Sequence, residues 1–91
     1  MPDEYQLQLE RQAHRSLRRI PPREHQRIQR AIDGLALEPR PRGALRLGGA
    51  LAAYRLRVGE YRVMYAVFDV ERLVKIVDVE RRTTQTYRRL S

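Results

Sequence analysis

Arginines at positions 55, 57 and 62 flank a glycine-glutamate pair in the stretch YRLRVGEYRVMY, residues 54–65, and two more, Arg81 and Arg82, follow further along the chain. Planar guanidinium groups donate paired hydrogen bonds to phosphate oxygens and stay protonated at every accessible pH. Several of them held together would bind a phosphodiester and stabilise negative charge developing on it. On either side of Gly59 and Glu60, apolar and charged side chains alternate as in a β-hairpin. Glycine supplies the positive φ that the first central position of a type II′ turn requires. With a two-residue turn there, Val58 opposes Tyr61, Leu56 opposes Val63 and Tyr54 opposes Tyr65 on one apolar face. Arg57 then opposes Arg62 on the other face, with Arg55 beside Met64. Like charges directly across a strand pair are destabilising, so such a face calls for an anion.

A third strand, Leu73 to Val79, follows after the four residues Asp69–Arg72. Counting back from a four-residue loop pairs Arg62 with Val79 and brings Arg81 to the arginine face, at the rim beside Glu60. An odd-length loop or a bulge exchanges Arg81 for Arg82. Either way four guanidinium groups from separate strands converge. One exposed arginine on a half-buried sheet is ordinary surface charge. Four on one face, interleaved with no carboxylate but Glu60, form a phosphate site.

Other residue types offer less chemistry. His14 and His25 sit among arginines on predicted helices, with no Cys, Asp or Glu at metal-ligand spacing. They read as solvent-facing. Asp69, Glu71, Asp78 and Glu80 read as turn and edge charges, with Glu80 placed to form a weak surface ion pair with Arg81 or Arg82. The chain has no cysteine, which excludes disulfides, thiol catalysis and thiolate metal sites. Lysine and arginine total 19 against 11 acidic residues, a formal charge of +8 that makes a polyanion the first partner to consider. The excess is densest around the hairpin: residues 38–62 carry six arginines and two glutamates.

These side chains need a scaffold of 91 residues with 42% hydrophobic content, the size of one small domain. Tyr5, Leu7 and Leu9 alternate with polar residues as in a half-buried strand. Ala13, Leu17 and Ile20 mark a short amphipathic helix stopped by Pro21 and Pro22. Ile28, Ala31, Ile32 and Leu35 form the apolar stripe of a second helix over 22–37. Residues 38–50, with two prolines and three glycines, read as a basic connecting loop. Strands Ala53–Val58, Tyr61–Phe68 and Leu73–Val79 follow as an antiparallel meander, and residues 83–91 form a short polar end, read as a helical turn capped by a threonine. The expected fold is α+β, in the order βααβββ. It is an antiparallel sheet with a two-helix hairpin packed on one face and a short C-terminal segment, a single domain over 1–91. No apolar run approaches the ~20 residues that span a bilayer, and MPDEYQLQLE lacks the features of a signal peptide. A cytoplasmic location is expected.

The order of a strand, two helices carrying LRRIPPREHQRIQRAIDGLALEPRP, the hairpin YRLRVGEYRVMYAVFD and a final strand leading to ERRTTQTYR resembles the RelE/ParE superfamily of bacterial toxins, and more closely its RelE branch. The likeness runs from Tyr5 to Arg88. It implies the RelE-like fold and a toxin made with an antitoxin from an adjacent gene. It also implies a ribosome-dependent, metal-independent endoribonuclease that cuts mRNA, inhibits translation and uses no cofactor. By resemblance, Arg55 and Arg57 are basic catalytic residues and Arg62 stabilises the transition state. Arg81 or Arg82 acts on the leaving group, and Tyr87 orients the scissile nucleotide. Where RelE itself has lysines this chain has Arg55 and Arg57, poorer general bases. The glycine often seen before the last basic motif is replaced within VDVERR.

Arg42 and Arg46, in the basic loop, would extend the RNA-binding surface. Met64 and Phe68, apolar residues expected beside the arginines, are docking points for the antitoxin tail, which should be acidic where it meets them. Two other functions fit a basic surface: inhibition of DNA gyrase in the manner of ParE, and RNA binding without cleavage, steeply weakened by salt.

Overall fold

In the computed structural model, residues 4–48 and 52–82 are described. They form β1 (Gln6–Leu9), α1 (Arg11–Arg18), α2 (Pro22–Gly34), β2 (Ala44–Arg46), β3 (Ala53–Val58), β4 (Tyr61–Phe68) and β5 (Leu73–Arg81). The expected helical turn within 83–91 lies outside the described residues.

Local chemistry accounts for the helices. Ala13 and Leu17 turn the apolar face of α1 inward, and Pro21, which cannot continue a helix, separates it from α2. Pro22 opens α2 at the first helical position, where its missing N–H costs nothing. Ile28 and Ile32, one turn apart, are fully buried. Together with Ala13, Leu17, Ile20 and Leu35 they cover Tyr54, Leu56, Val58, Tyr61, Val63, Tyr65, Val74, Ile76 and Val79 on one face of the sheet.

The sheet order is β1-β5-β4-β3-β2. It is mixed: β2, β3, β4 and β5 pair antiparallel with their neighbours, while β1 joins β5 in parallel, Gln6 opposite Leu73 through Leu9 opposite Ile76. This corrects the all-antiparallel expectation. Alternation reports which face a side chain takes but not strand direction, and the helical crossover after β1 supplies the connection a parallel neighbour needs. Residues 38–50 are likewise more than a loop, because Ala44–Arg46 adds a fifth strand against Tyr54–Leu56. Three residues are too few for a period to register.

The β3–β4 hairpin has the register expected from its turn: Val58 opposite Tyr61, Arg57 opposite Arg62, Leu56 opposite Val63, Arg55 opposite Met64 and Tyr54 opposite Tyr65. Gly59 has φ +61° and Glu60 does not share its sign, as a type II′ turn requires. The β4–β5 pairing departs from the even count. Tyr65 opposes Ile76 but Met64 opposes Asp78, so Val77 is an extra residue on β5. Beyond this bulge Arg62 opposes Glu80, not Val79, and Arg81 opposes Tyr61.

Candidate functional site

Because β3 and β4 alternate about a fixed turn, Arg55, Arg57 and Arg62 all emerge on the face opposite the helices. They line a hollow of about 220 Å³ together with Arg82, Gly43 and Leu45. The floor is the open face of the sheet. One wall comes from β2 and the turn before it, where Gly43 adopts φ +97° to bring the chain back against β3. Leu45 is 54% exposed and gives that wall an apolar surface.

The bulge decides which late arginine joins this group. By adding Val77 it moves Arg81 opposite Tyr61, whose side chain is buried under the helices. Arg81 accordingly borders a separate hollow with Ser16, Arg19, Ile20, Pro21, Tyr61 and Val79. Its guanidinium lies 3.7 Å from the Glu60 carboxylate in an exposed ion pair. Arg82 lines the hollow instead, its backbone N–H donating to the Glu60 carbonyl at 2.7 Å. Arg57 Nε donates to the Gly59 carbonyl at 3.4 Å. Both carbonyls of the type II′ turn thus steady arginines of the site.

Among the described residues no carboxylate lies within ion-pair distance of Arg55, Arg57 or Arg62, although Glu80 stands opposite Arg62 in the register. A cluster of fixed positive charge on a concave surface focuses potential and attracts anions. Chemically it can hold a phosphodiester through several donors at once and stabilise added charge on phosphorus. Among the described residues there is no group of three or more His, Cys, Asp or Glu that could hold a metal ion, and no helix is long and apolar enough to cross a membrane.

The sequence matches the family of ParE toxins of type II toxin-antitoxin systems, parDE, over residues 7–86. The chain belongs to the RelE/ParE toxin superfamily. Solved structures agree. RelE in the RelE–RelB complex of Pyrococcus horikoshii is 30% identical with a TM-score of 0.77, over 89% of this chain and 98% of that one. The toxin-antitoxin complex RelBE2 of Mycobacterium tuberculosis gives 31%, a TM-score of 0.76, and coverage of 87% and 99%. The isolated RelE toxin of E. coli shares the fold at TM-score 0.76 and 18% identity, over 96% of this chain and 99% of that one.

The toxin scatters the other residues singled out in its sequence. Arg42 is exposed and lines a second groove beside α2, away from the sheet-face hollow. Arg46 opposes Tyr54, whose ring is buried on the helix side, so alternation turns Arg46 toward that side of the edge. Met64 and Phe68 lie half-buried on the arginine face of β4, with Lys75 Nζ 5.6 Å from the centre of the Phe68 ring. Tyr87 falls outside the described residues.

A polar cluster at the far end of the toxin's sheet went unnoticed in the sequence. Asp69 accepts from Tyr5 Oη at 2.6 Å and from Arg40 at 2.7 Å, and Arg40 Nε also donates to Tyr54 Oη at 2.9 Å. Tyr65 Oη donates to the Pro39 carbonyl at 2.8 Å. These bonds tie the chain leaving α2 to three strand ends. The Arg40 and Tyr5 hydrogen bonds hold the Asp69 carboxyl below its usual range, and burial pushes the Tyr65 phenol up to about 12. The only sequence signal was an arginine between two prolines followed later by an aspartate at a hairpin turn, a pairing that no periodicity reveals.

Proposed function

We propose that this toxin is a ribosome-dependent mRNA endoribonuclease acting in the cytoplasm. The observation that carries the reading is the convergence of Arg55, Arg57, Arg62 and Arg82 on one hollow of the open sheet face. In the proposed reaction the 2′-hydroxyl of one nucleotide attacks the adjacent phosphorus and the bond to the 5′-oxygen of the next nucleotide breaks. The products are a 2′,3′-cyclic phosphate and a 5′-hydroxyl end, and neither a metal nor a cofactor is needed to balance the step. Arg55 and Arg57 grip the non-bridging oxygens, and Arg62, on β4 directly opposite Arg57, stabilises the charge of the pentavalent phosphorane. Arg82 takes the leaving-group side, a role for which Arg81 is less suited because it turns to Glu60. Tyr87 orients the scissile nucleotide by stacking on a base. Guanidinium groups do not accept the 2′-hydroxyl proton. That proton passes to an acceptor outside the cluster, which is where the ribosome contributes, and the departing 5′-oxygen takes a proton from water as it leaves.

The partner in the cell is a cognate antitoxin, as the RelE–RelB pairing in the P. horikoshii structure supports. Its tail is acidic where it covers the arginines and apolar over Met64 and Phe68.

A second reading, inhibition of DNA gyrase, is favoured by the ParE description of the matching family. One experiment separates the two: wild type and Arg62→Ala are incubated in parallel with programmed ribosomes, naked message and gyrase. Cleavage on ribosomes that falls on the order of 10²-fold or more in the variant supports the nuclease, since that is the usual cost of one such donor. Intact message with blocked supercoiling overturns it in favour of gyrase inhibition. Intact message with active gyrase overturns both.

A further inference from the structure

A second basic groove begins where the first hollow ends. Among the described residues strand β2 covers β3 only as far as Leu56, opposite Ala44, and leaves Arg57 and Val58 on an open edge facing α2. Between that edge and the helix runs a groove of about 430 Å³ lined by Arg27, Arg30, Ala31, Gly34, Pro41, Arg42, Leu56, Arg57, Val58 and Gly59. Four of these are arginines and none is acidic. Arg27 and Arg30 are three apart on α2 and share a face. The floor, from Ala31, Pro41, Leu56 and Val58, is apolar. Among the described residues nothing fills the space over Gly34, where a Cβ would meet no atom within 4 Å.

Arg57 lines both hollows. The link between them is the tip of the hairpin: Arg57 donates to the Gly59 carbonyl, while the Arg27 guanidinium packs against the same glycine, 3.0 Å from where a Cβ would stand. The two arginine groups therefore form one continuous surface that turns around the edge of β3.

We infer that a single-stranded polynucleotide entering the hollow continues around this edge, its backbone phosphates held by Arg27, Arg30 and Arg42 in the α2 groove. The inference rests on the reading of the hollow as an RNA site and extends it to the flanking nucleotides. Sites for single strands combine a positively charged groove that tracks the backbone with surface against which bases or sugars rest, which describes this groove. An acidic peptide strand fits less well. Past Leu56 the β3 edge left unpaired by the described residues is two residues long, too short a run to template an added strand.

The test measures binding of fluorescein-labelled single-stranded RNA to the full chain by anisotropy across a salt series, with a tetranucleotide and a dodecanucleotide. RNAs carrying 2′-O-methyl groups throughout block the attacking hydroxyl and prevent cleavage. Arg27→Gln/Arg30→Gln is expected to bind the tetranucleotide as wild type does, bind the dodecanucleotide several-fold more weakly, and lower its salt slope by about 1.4, or about 0.7 per lost phosphate contact. Arg30→Gln alone, at an exposed position away from the Gly59 contact, is expected to lower the slope by about 0.7, which guards against a loosened hairpin in the double variant. An unchanged dodecanucleotide slope in both variants overturns the inference. So does a groove that the variants disable only for an acidic peptide, tested with polyglutamate. Failure of the hollow is read separately: if Arg62→Ala leaves tetranucleotide binding intact, the site reading itself falls, whatever the α2 groove does.

Discussion

If the arginine face is arranged for an absent anion, removing one of its charges should make the free protein more stable. Arg57 and Arg62 are direct cross-strand neighbours, and a like-charged pair in that relation costs up to about 1 kcal/mol. Arg57 relieves part of this by turning toward the Gly59 carbonyl. Both side chains also retain contact with water, Arg57 being exposed and Arg62 half-buried, and Glu80 stands opposite Arg62 on β5, so screening and this opposite charge take a further share. About half the ceiling remains, ~0.5 kcal/mol in favour of Arg62→Gln, a replacement that keeps part of the aliphatic stem. For a domain of this size ~1 kcal/mol moves Tm by ~4–8 °C, giving an expected rise of ~2–4 °C. The assay is thermal unfolding followed by far-UV circular dichroism in 10 mM and in 1 M salt. At 1 M the screening length falls to about 3 Å, so the gain should vanish, and Arg62→Lys, which keeps the charge, should show none at either salt. Added polyphosphate should reverse the ranking by stabilising wild type more than the variant. A lower Tm for Arg62→Gln in low salt, or a gain that survives 1 M salt, would refute the argument that the face is electrostatically strained.

Three further outcomes follow from other parts of the molecule. Asp69→Asn should lower Tm at pH 7; the depressed carboxyl contributes stability above its unfolded value and loses it as pH falls through the folded one, so variant and wild type should converge below about pH 4 in a pH-resolved melt. Tyr65, raised to about 12, keeps its proton in the folded state after the unfolded chain has begun to lose it near pH 10. Stability should therefore decline from about pH 10 upward, and Tyr65→Phe should flatten that decline while costing about 1–2 kcal/mol at neutral pH through the orphaned Pro39 carbonyl, both measurable by urea titration. Gly59→Ala should cost about 1–2 kcal/mol in the same titration, because an L side chain resists φ +61° and its methyl group meets the Arg27 guanidinium.

What the sequence made legible, and what it hid, divides along a physical line. Alternation about Gly59 and Glu60 determined the hairpin register residue for residue, because a two-residue turn leaves no freedom once its glycine is placed. The helices were equally plain from their apolar stripes and the proline pair. Strand β2 was hidden because three residues carry no period, and the parallel seating of β1 because alternation is blind to direction. The bulge lay between these cases. In LVKIVDVERR the buried positions run Val74, Ile76 and then Val79. Strict alternation would require Asp78 where Val79 stands, and a charged residue at a core position signals an extra residue in the strand. That one-residue slip in the apolar pattern exchanges Arg81 for Arg82 at the hollow, so the identity of the fourth arginine was written in the spacing of Ile76 and Val79 rather than in the arginines themselves. It also explains why deleting Val77 is a sharper test of the site than substituting either arginine. Without Val77 the strand alternates evenly while Val79 still opposes Val63 and Arg81 still opposes Tyr61, so the phenotype of Arg82→Ala should persist in the deletion background, and its transfer to Arg81→Ala would refute the register.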